Sequence, residues 1–258
     1  MTTDSKTTVL VTGGNNGIGL AACQLFISQP NYHVIMASRS LYRGQIAVES
    51  IISSTHSSSR LSLVQLDITS DGSIAAAVES VASLRQDNKQ QRLNVLVNNA
   101  GICPTEFTRS TLRDALETNA TSPAMVTKTF APLLLRPSLT NDKSPPRIIY
   151  VSSSLGSVQR RTDPNDFAYT ADYKAYRVSE AALNMVAVCD AWEYGDKGVK
   201  VFAVCPGPCW RARVEDAGGC SQRSGDECTE LLEIAEGRRD ADAGKFVYGE
   251  EAGGTYAW

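Results

Sequence analysis

The sequence has no CxxC pair and only two histidines, His33 and His56. Its seven cysteines (23, 103, 189, 205, 209, 220 and 228) are odd in number and scattered. That pattern suits neither a disulfide framework nor a zinc site, and no metal is expected. No apolar run reaches the roughly 18 residues that cross a bilayer. Residues Met1–Thr8 are polar and lack the apolar core of a signal peptide, so a cytoplasmic protein without membrane partners is the expectation. Basic residues are also short: 25 lysines and arginines face 28 aspartates and glutamates, a net charge of −3. Such a chain is not built to neutralise a phosphate backbone, so nucleic acid is not expected as a partner.

The 258 residues, 42% hydrophobic and 21% charged, can bury a sizeable core. Short apolar runs alternate with helix-like stretches. Strands are expected at Val9–Thr12, Tyr32–Ala37, Leu61–Leu66, Leu93–Val97, Ile148–Val151 and Val199–Val204. Helices are expected at Gly17–Gln29, Tyr42–Ser54, Ser70–Asp87, near Leu112–Thr118, at Ala124–Leu135, and from Tyr173 to Trp192. This alternation implies βαβ units. It predicts a single-domain α/β Rossmann fold over residues 1–258, a doubly wound parallel sheet with helices on both faces. Ser138–Pro146 reads as a surface loop and Gly244–Tyr248 as a last strand. From Glu215 to Trp258 eleven acidic residues face four basic ones, the signature of a solvated face or a lid. The lid region is placed at about 208–240.

Thr12-Gly-Gly-Asn-Asn-Gly-Ile-Gly19 follows the first strand and opens the first helix. Gly13 permits a sharp turn, Gly17 lets backbone approach a pyrophosphate, and Gly19 lets helix and strand pack closely. The helix N-terminus offers N–H donors and a positive dipole to phosphate. A tight turn alone would use the same glycines, but the strand–turn–helix setting points to a nucleotide.

The spacing is TGxxxGxG, and here the sequence resembles the short-chain dehydrogenase/reductase family. Asn98-Asn-Ala-Gly101, after the fourth strand, is similar to the family's NNAG motif, and Cys205-Pro-Gly207 to its PG motif. The ending, Gly237–Lys245 and Trp258, looks most like fungal carbonyl-reductase-type members. The resemblance implies that Gly13, Asn15, Asn16, Gly17, Ile18 and Gly19 meet the cofactor. It adds Asp67 and Ile68 beside the adenine, Asn99, Ala100 and Gly101 along the fourth strand's end, and Pro206 and Gly207 after the sixth. Asn119, Ser153 and Tyr176 fall where the family's catalytic asparagine, serine and tyrosine occur. Ser153 is chosen from Ser152–Ser154 because Gly156 follows it by three.

The second strand runs into Ala37-Ser-Arg-Ser40, where an NAD enzyme offers an acid to the ribose. Arg39 would instead attract a phosphate on that ribose, with Arg43 nearby, so NADP(H) is the expected cofactor. Asn16 departs from the lysine or arginine frequent there in NADP-preferring relatives, and an ordinary surface arginine remains the alternative for Arg39.

The family's YxxxK pair is altered. Tyr176-Arg-Val-Ser-Glu-Ala-Ala-Leu-Asn-Met185 aligns with YxxSKAALNM, placing Glu180 at the lysine. A second register pairs Tyr173 with Arg177. Residues i and i+4 share a helix face, so the charge at 180 acts on Tyr176. Two charges about 5 Å apart interact by roughly 3 kcal/mol at an effective dielectric of 20. Exchanging attraction for repulsion works against a tyrosinate and hence against oxidation. Lys174 could reach in from the preceding turn. Arg211 stands where relatives carry a threonine; it and Arg213 could bind an anion or face solvent. Asp163 and Asp166 could supply an acid or shape a turn.

The expected function is NADP(H)-dependent reduction of a carbonyl or imine in a small organic, secondary-metabolite-like molecule, with an atypical site of Asn119, Ser153, Tyr176 and Glu180. The alternatives are a non-redox enzyme on this fold (cyclase, isomerase or dehydratase) or a silent nucleotide-binding protein. A homo-oligomer is compatible with the long helices.

Overall fold

The computed structural model describes residues 6–55, 58–84, 92–138, 144–166, 169–207, 228–249 and 254–258. Seven parallel strands and one antiparallel strand form a single sheet. They are β1 Thr7–Thr12, β2 Tyr32–Ser38, β3 Leu61–Gln65, β4 Val95–Asn98, β5 Arg147–Val151, β6 Lys200–Cys205, β7 Phe246–Tyr248 and β8 Gly254–Tyr256. Their order is β3-β2-β1-β4-β5-β6-β7-β8, with only β8 antiparallel. The expected doubly wound sheet is present. β8 was not expected, because three residues containing a glycine carry no readable alternation.

The strands are apolar almost throughout because both sheet faces are covered. Period-two alternation divides their side chains. Leu10, Ile35, Leu96, Ile148 and Val201 face one core, with α3 Asp71–Ser83, α5 Ser122–Leu134 and α7 Lys174–Gly195. Val9, Val11, Val34, Val97 and Phe202 face the other, with α1 Gly17–Ser28, α2 Leu41–Thr55 and α8 Thr229–Ala235. Helix α6 is the short Val158–Thr162. No helix among the described residues is long and apolar enough to cross a membrane.

Helix α3 ends at Ser83 rather than Asp87, and 85–87 lie outside the described residues. Helix α4, Arg109–Leu116, starts three residues before the expected stretch. Thr108 caps it, accepting from the Thr111 N–H at 3.1 Å. The two helices expected around residue 120 form one path, joined by a π turn at Glu117–Thr121. That turn inserts a residue into the 3.6 period, which is why the pattern reads as two separate helices. Of the region placed at 208–240, residues 208–227 lie outside the described residues. The rest carries α8, whose Leu231 and Ile234 are fully buried.

The last strand is fastened to the segment after Ser153. The Trp258 ring stacks on Phe246 at 5.6 Å, and Tyr256 stacks on Tyr248 at 4.1 Å. Ser157 Oγ donates to the Ala257 carbonyl at 2.7 Å, and the Gln159 N–H to that of Trp258 at 3.3 Å. The Arg160 guanidinium lies 4.3 Å from the centre of the Tyr256 ring.

Phe246 is fully buried and joins β7 to this clamp. Phe246→Ala is expected to cost about 3–5 kcal/mol in urea unfolding, and proteolysis of the native protein should quicken near residue 258.

Candidate functional site

Strand order reverses at β1, which lies between β2 and β4. In such sheets ligands bind outside the strands' carboxyl ends at this switch point. Thr12 closes β1 and ties it to β4. Its buried hydroxyl accepts from the Asn99 and Ala100 N–H groups at 2.9 and 3.0 Å, while Asn99 Nδ2 donates to the Thr12 carbonyl at 2.9 Å. Thr12 was not among the expected site residues, although its place before Gly13 marked it.

The glycine turn is shaped as its spacing predicts. Gly13 (φ 64°) and Gly17 (φ 53°) are left-handed. A Cβ on Gly19 would lie 2.4 Å from the Gly13 carbonyl oxygen, so only glycine fits. Around Gly17, by contrast, a Cβ would meet nothing within 4 Å, leaving an open cradle. Asn16 caps α1, its Oδ1 accepting from the Gly17 N–H at 2.8 Å. Asn15 Oδ1 accepts from Ser38 Oγ at 3.0 Å, which joins the turn to the end of β2. Arg39 follows there, exposed. Asp67 accepts from the Thr69 hydroxyl and N–H, and these bonds hold its carboxyl below the usual value, with a smaller contribution from Arg39. Ile68 is buried; Pro206 is buried and Gly207 (φ 88°) half-buried beyond β6.

A cleft opens at this edge. Ile18, Asn99, Ala100, Gly101, Asn119, Ser152, Tyr176 and Glu180 are among its lining residues. Tyr176 and Glu180 therefore share one wall, as their i, i+4 spacing requires. Arg177, the cation of the alternative register, points elsewhere. Its Nε donates to the carbonyls of Ala171 and Asp172 at 3.0 and 2.9 Å, and its Nη1 to that of Leu155 at 3.2 Å. Burial and the Arg161 charge lower its pKa. It holds the segment that enters α7 through Tyr173, the one described non-glycine residue with positive φ, at 55°. Lys174 does not reach the cleft either; its Nζ lies 4.4 Å from the centre of the Phe107 ring.

Asn119 sits in the π turn, a setting frequent at functional sites. Its Nδ2 donates to the Ile102 carbonyl at 2.7 Å and to Ser179 Oγ at 2.9 Å, and its Oδ1 accepts from the Ile102 N–H at 2.8 Å. Ser179 Oγ in turn donates to the Tyr176 carbonyl at 2.8 Å. This chain fixes the asparagine to the tyrosine's helix. Ser153 begins the turn Ser154–Gly156, its Oγ accepting from the Leu155 N–H at 3.2 Å. Its neighbour Ser152, rather than Ser153, lines the cleft, with Oγ donating to Asn184 Oδ1 at 2.7 Å. Gly156 brings this turn against α7: a Cβ there would lie 2.8 Å from Glu180 Cβ.

Behind the cleft, Asn98 Nδ2 donates to Thr127 Oγ1 at 2.9 Å, and Tyr150 hydrogen-bonds both Thr127 and Asp190. Burial first, then Asp190, pushes the Tyr150 phenol well above its usual pKa. Asp166 is paired with Arg160 at 2.6 Å, and Asp163 Oδ1 accepts from the Asn165 N–H at 2.9 Å, so both serve the turn. Arg211 and Arg213 lie outside the described residues.

A model of the short chain dehydrogenase family matches residues 7–216. A short-chain dehydrogenase of Penicillium roqueforti (anuI) is 33% identical, covering 98% of each chain. A short-chain dehydrogenase/reductase of Talaromyces stipitatus (tropE) is also 33% identical, covering 96% of this chain and 97% of its own. Among solved structures, NADPH-bound carbonyl reductase from chicken fatty liver is similar, with TM-score 0.80 and 27% identity. It covers 98% of this chain and 95% of its own.

Arg177→Met is expected to cost about 1–3 kcal/mol in urea unfolding, because it strips the buried Leu155 carbonyl and the part-buried carbonyls of Ala171 and Asp172 of their donor. Gly19→Ala should destabilise by a similar amount through overpacking against Gly13.

Proposed function

Because the chain belongs to the short-chain dehydrogenase family, we propose that it is an NADP(H)-dependent reductase. Its substrate is a carbonyl or imine of a small organic, secondary-metabolite-like molecule. The observation that carries this reading is the shared cleft: Tyr176 and Asn119 line it beside Ile18 of the glycine turn. The turn fits a dinucleotide, since Gly17 leaves a cradle that a side chain would fill and the α1 N-terminus offers its N–H groups to phosphate. Arg39, exposed beside Asn15 and Ser38, suits an additional ribose phosphate better than a bare ribose. When bound, the reduced cofactor supplies hydride.

The chain's own residues orient the acceptor. The Tyr176 hydroxyl donates a hydrogen bond to the electrophile's oxygen or nitrogen. Ser153, whose oxygen already accepts from Leu155, has its own hydrogen to donate. Asn119 is a positioning residue, holding Ile102 and, through Ser179, the start of the Tyr176 helix turn. Glu180 accepts hydrogen bonds where the family's lysine would donate them, and it disfavours a tyrosinate at 176. The site therefore favours reduction, in which Tyr176 stays protonated.

A second reading rests on Glu180 itself. A carboxyl that is 4% exposed and shares a cleft with a tyrosine also suits proton transfer without redox chemistry.

Fluorescence titration should give tighter binding of NADPH than NADH, and Arg39→Asp should reverse the order; equal or absent binding contradicts the cofactor assignment. Glu180→Lys should raise ketone reduction by about 10²-fold, the lower range of general acid–base catalysis. No gain, with loss of a native reaction, favours the non-redox reading.

A further inference from the structure

We propose that Asn98 is a specificity-determining residue of the cleft, its Oδ1 accepting a hydrogen bond from a hydroxyl or N–H group of the bound molecule. Asp190, behind the cleft, is the positioning residue that keeps this oxygen turned inward. The inference deepens the reductase reading and rests on it for what the cleft binds. The hydrogen-bond claim itself needs no hydride transfer.

Asn98 ends β4, is 3% exposed and lines the cleft together with Ser152 and Tyr176. One end of its amide is committed, Nδ2 donating to Thr127 Oγ1 at 2.9 Å. The other end, Oδ1, is buried and has no hydrogen-bond partner among the described residues. With the nitrogen facing Thr127, the oxygen is the end turned to the open space. A buried amide oxygen is costly to leave without a donor, and a hydrocarbon of the same size would carry no such cost. The donor comes with what the cleft binds.

The amide is held against turning round. Behind it a chain of bonds runs from Asn98 to Thr127 on α5, Tyr150 on β5 and Asp190 on α7. A carboxylate only accepts, so the single phenol hydrogen of Tyr150 goes to Asp190. The Tyr150 oxygen, 2.7 Å from Thr127 Oγ1, then takes the threonine's hydrogen. That leaves the Thr127 oxygen as an acceptor, which the Asn98 nitrogen can meet and the Asn98 oxygen cannot. Every bond thus points toward one carboxylate. Burial raises the pKa of the Asp190 carboxyl, and the Tyr150 bond opposes that rise by favouring the charged form.

The neighbouring strand presents the same polarity. Asn98 is in register with Tyr150, and Ser152 follows Tyr150 by two; Tyr150 and Ser152 both reach α7. The Ser152 hydroxyl gives its hydrogen to Asn184 Oδ1 at 2.7 Å, so it too shows the cleft an acceptor. A hydroxyl or N–H group between these strand ends meets acceptors on both sides. A carbonyl or ether oxygen there meets repulsion.

The substrate and the cofactor are the two sources of such a donor, and two probes separate them. The first is a set of acetophenones carrying hydroxyl or fluorine at the same ring position, near equal in size, with only the hydroxyl able to donate. Calorimetry compares each pair at all three positions. The second is NADPH itself, titrated by fluorescence. Where the substrate brings the donor, at least one hydroxyl isomer binds about tenfold tighter than its fluoro counterpart. Asn98→Leu, Asp190→Asn and Thr127→Val should each cut that ratio below about threefold, while Thr127→Ser retains it. Where the cofactor brings the donor, the ratio is near one and NADPH binding weakens about tenfold in the same three variants, but not in Thr127→Ser. Circular dichroism checks folding. Asp190→Asn, isosteric and half-buried, carries the test if Thr127→Val does not fold. A ratio near one, with NADPH affinity unchanged in folded Asn98→Leu and Asp190→Asn, overturns the proposal and leaves water as the donor. A loss in Asn98→Leu that folded Asp190→Asn does not share overturns the positioning role. Failure of the unaltered protein to bind NADPH contradicts the reductase reading alone; the acetophenone pairs then decide, and a ratio near one overturns the proposal.

Discussion

The Thr12 hydroxyl is the joint on which the site depends. It is buried at the one place where the sheet's winding reverses, and it accepts from two successive N–H groups at the end of β4. Those groups would otherwise be orphaned beside the cleft, at a cost of a few kcal/mol. With them satisfied, the segment from Asn99 to Gly101 is held against the glycine turn, and Asn99 returns a bond to the Thr12 carbonyl. The turn and the NNAG segment are therefore one rigid unit, to which Asn119 is added through Ile102. Helix α7 joins through Ser179. Each step passes through hydrogen bonds between elements far apart in sequence.

On that scaffold the Glu180 side chain stands in the cleft wall, 4% exposed. Gly156 brings its turn against Glu180, and Ser179 links Asn119 to Tyr176.

Much of this was legible because it is local. The glycine spacing foretold a sharp turn at Gly13 and close packing at Gly19, and the run from Ser179 to Met185 favoured the register that starts at Tyr176. Ser153 was chosen from its neighbours because Gly156 follows it by three, but it is Ser152 that lines the cleft, because adjacent residues in a turn diverge in ways spacing does not encode. Arg177 was ambiguous in sequence, since its offset from Tyr173 equals that of Glu180 from Tyr176. Only the carbonyls of residues 171, 172 and 155 separate the two. The π turn was hidden because it breaks the period by which helices are read. The network of Asn98, Thr127, Tyr150 and Asp190 joins residues from four elements, and no pairwise spacing announces it.

The clamp between residues 254–258 and α6 has a bearing on how the molecule is made. Ser157 meets the carbonyl of Ala257, a hundred residues further along the chain. During synthesis the nucleotide half, complete once β4 and its end have been made, can assemble while later segments are still being added. The segment after Ser153 gains its last partners only when residues 257 and 258 emerge. Contacts of such long sequence separation form late, after the cost of closing a large loop has been met. A nascent chain thus becomes able to hold a nucleotide before it can organise the space where a substrate sits.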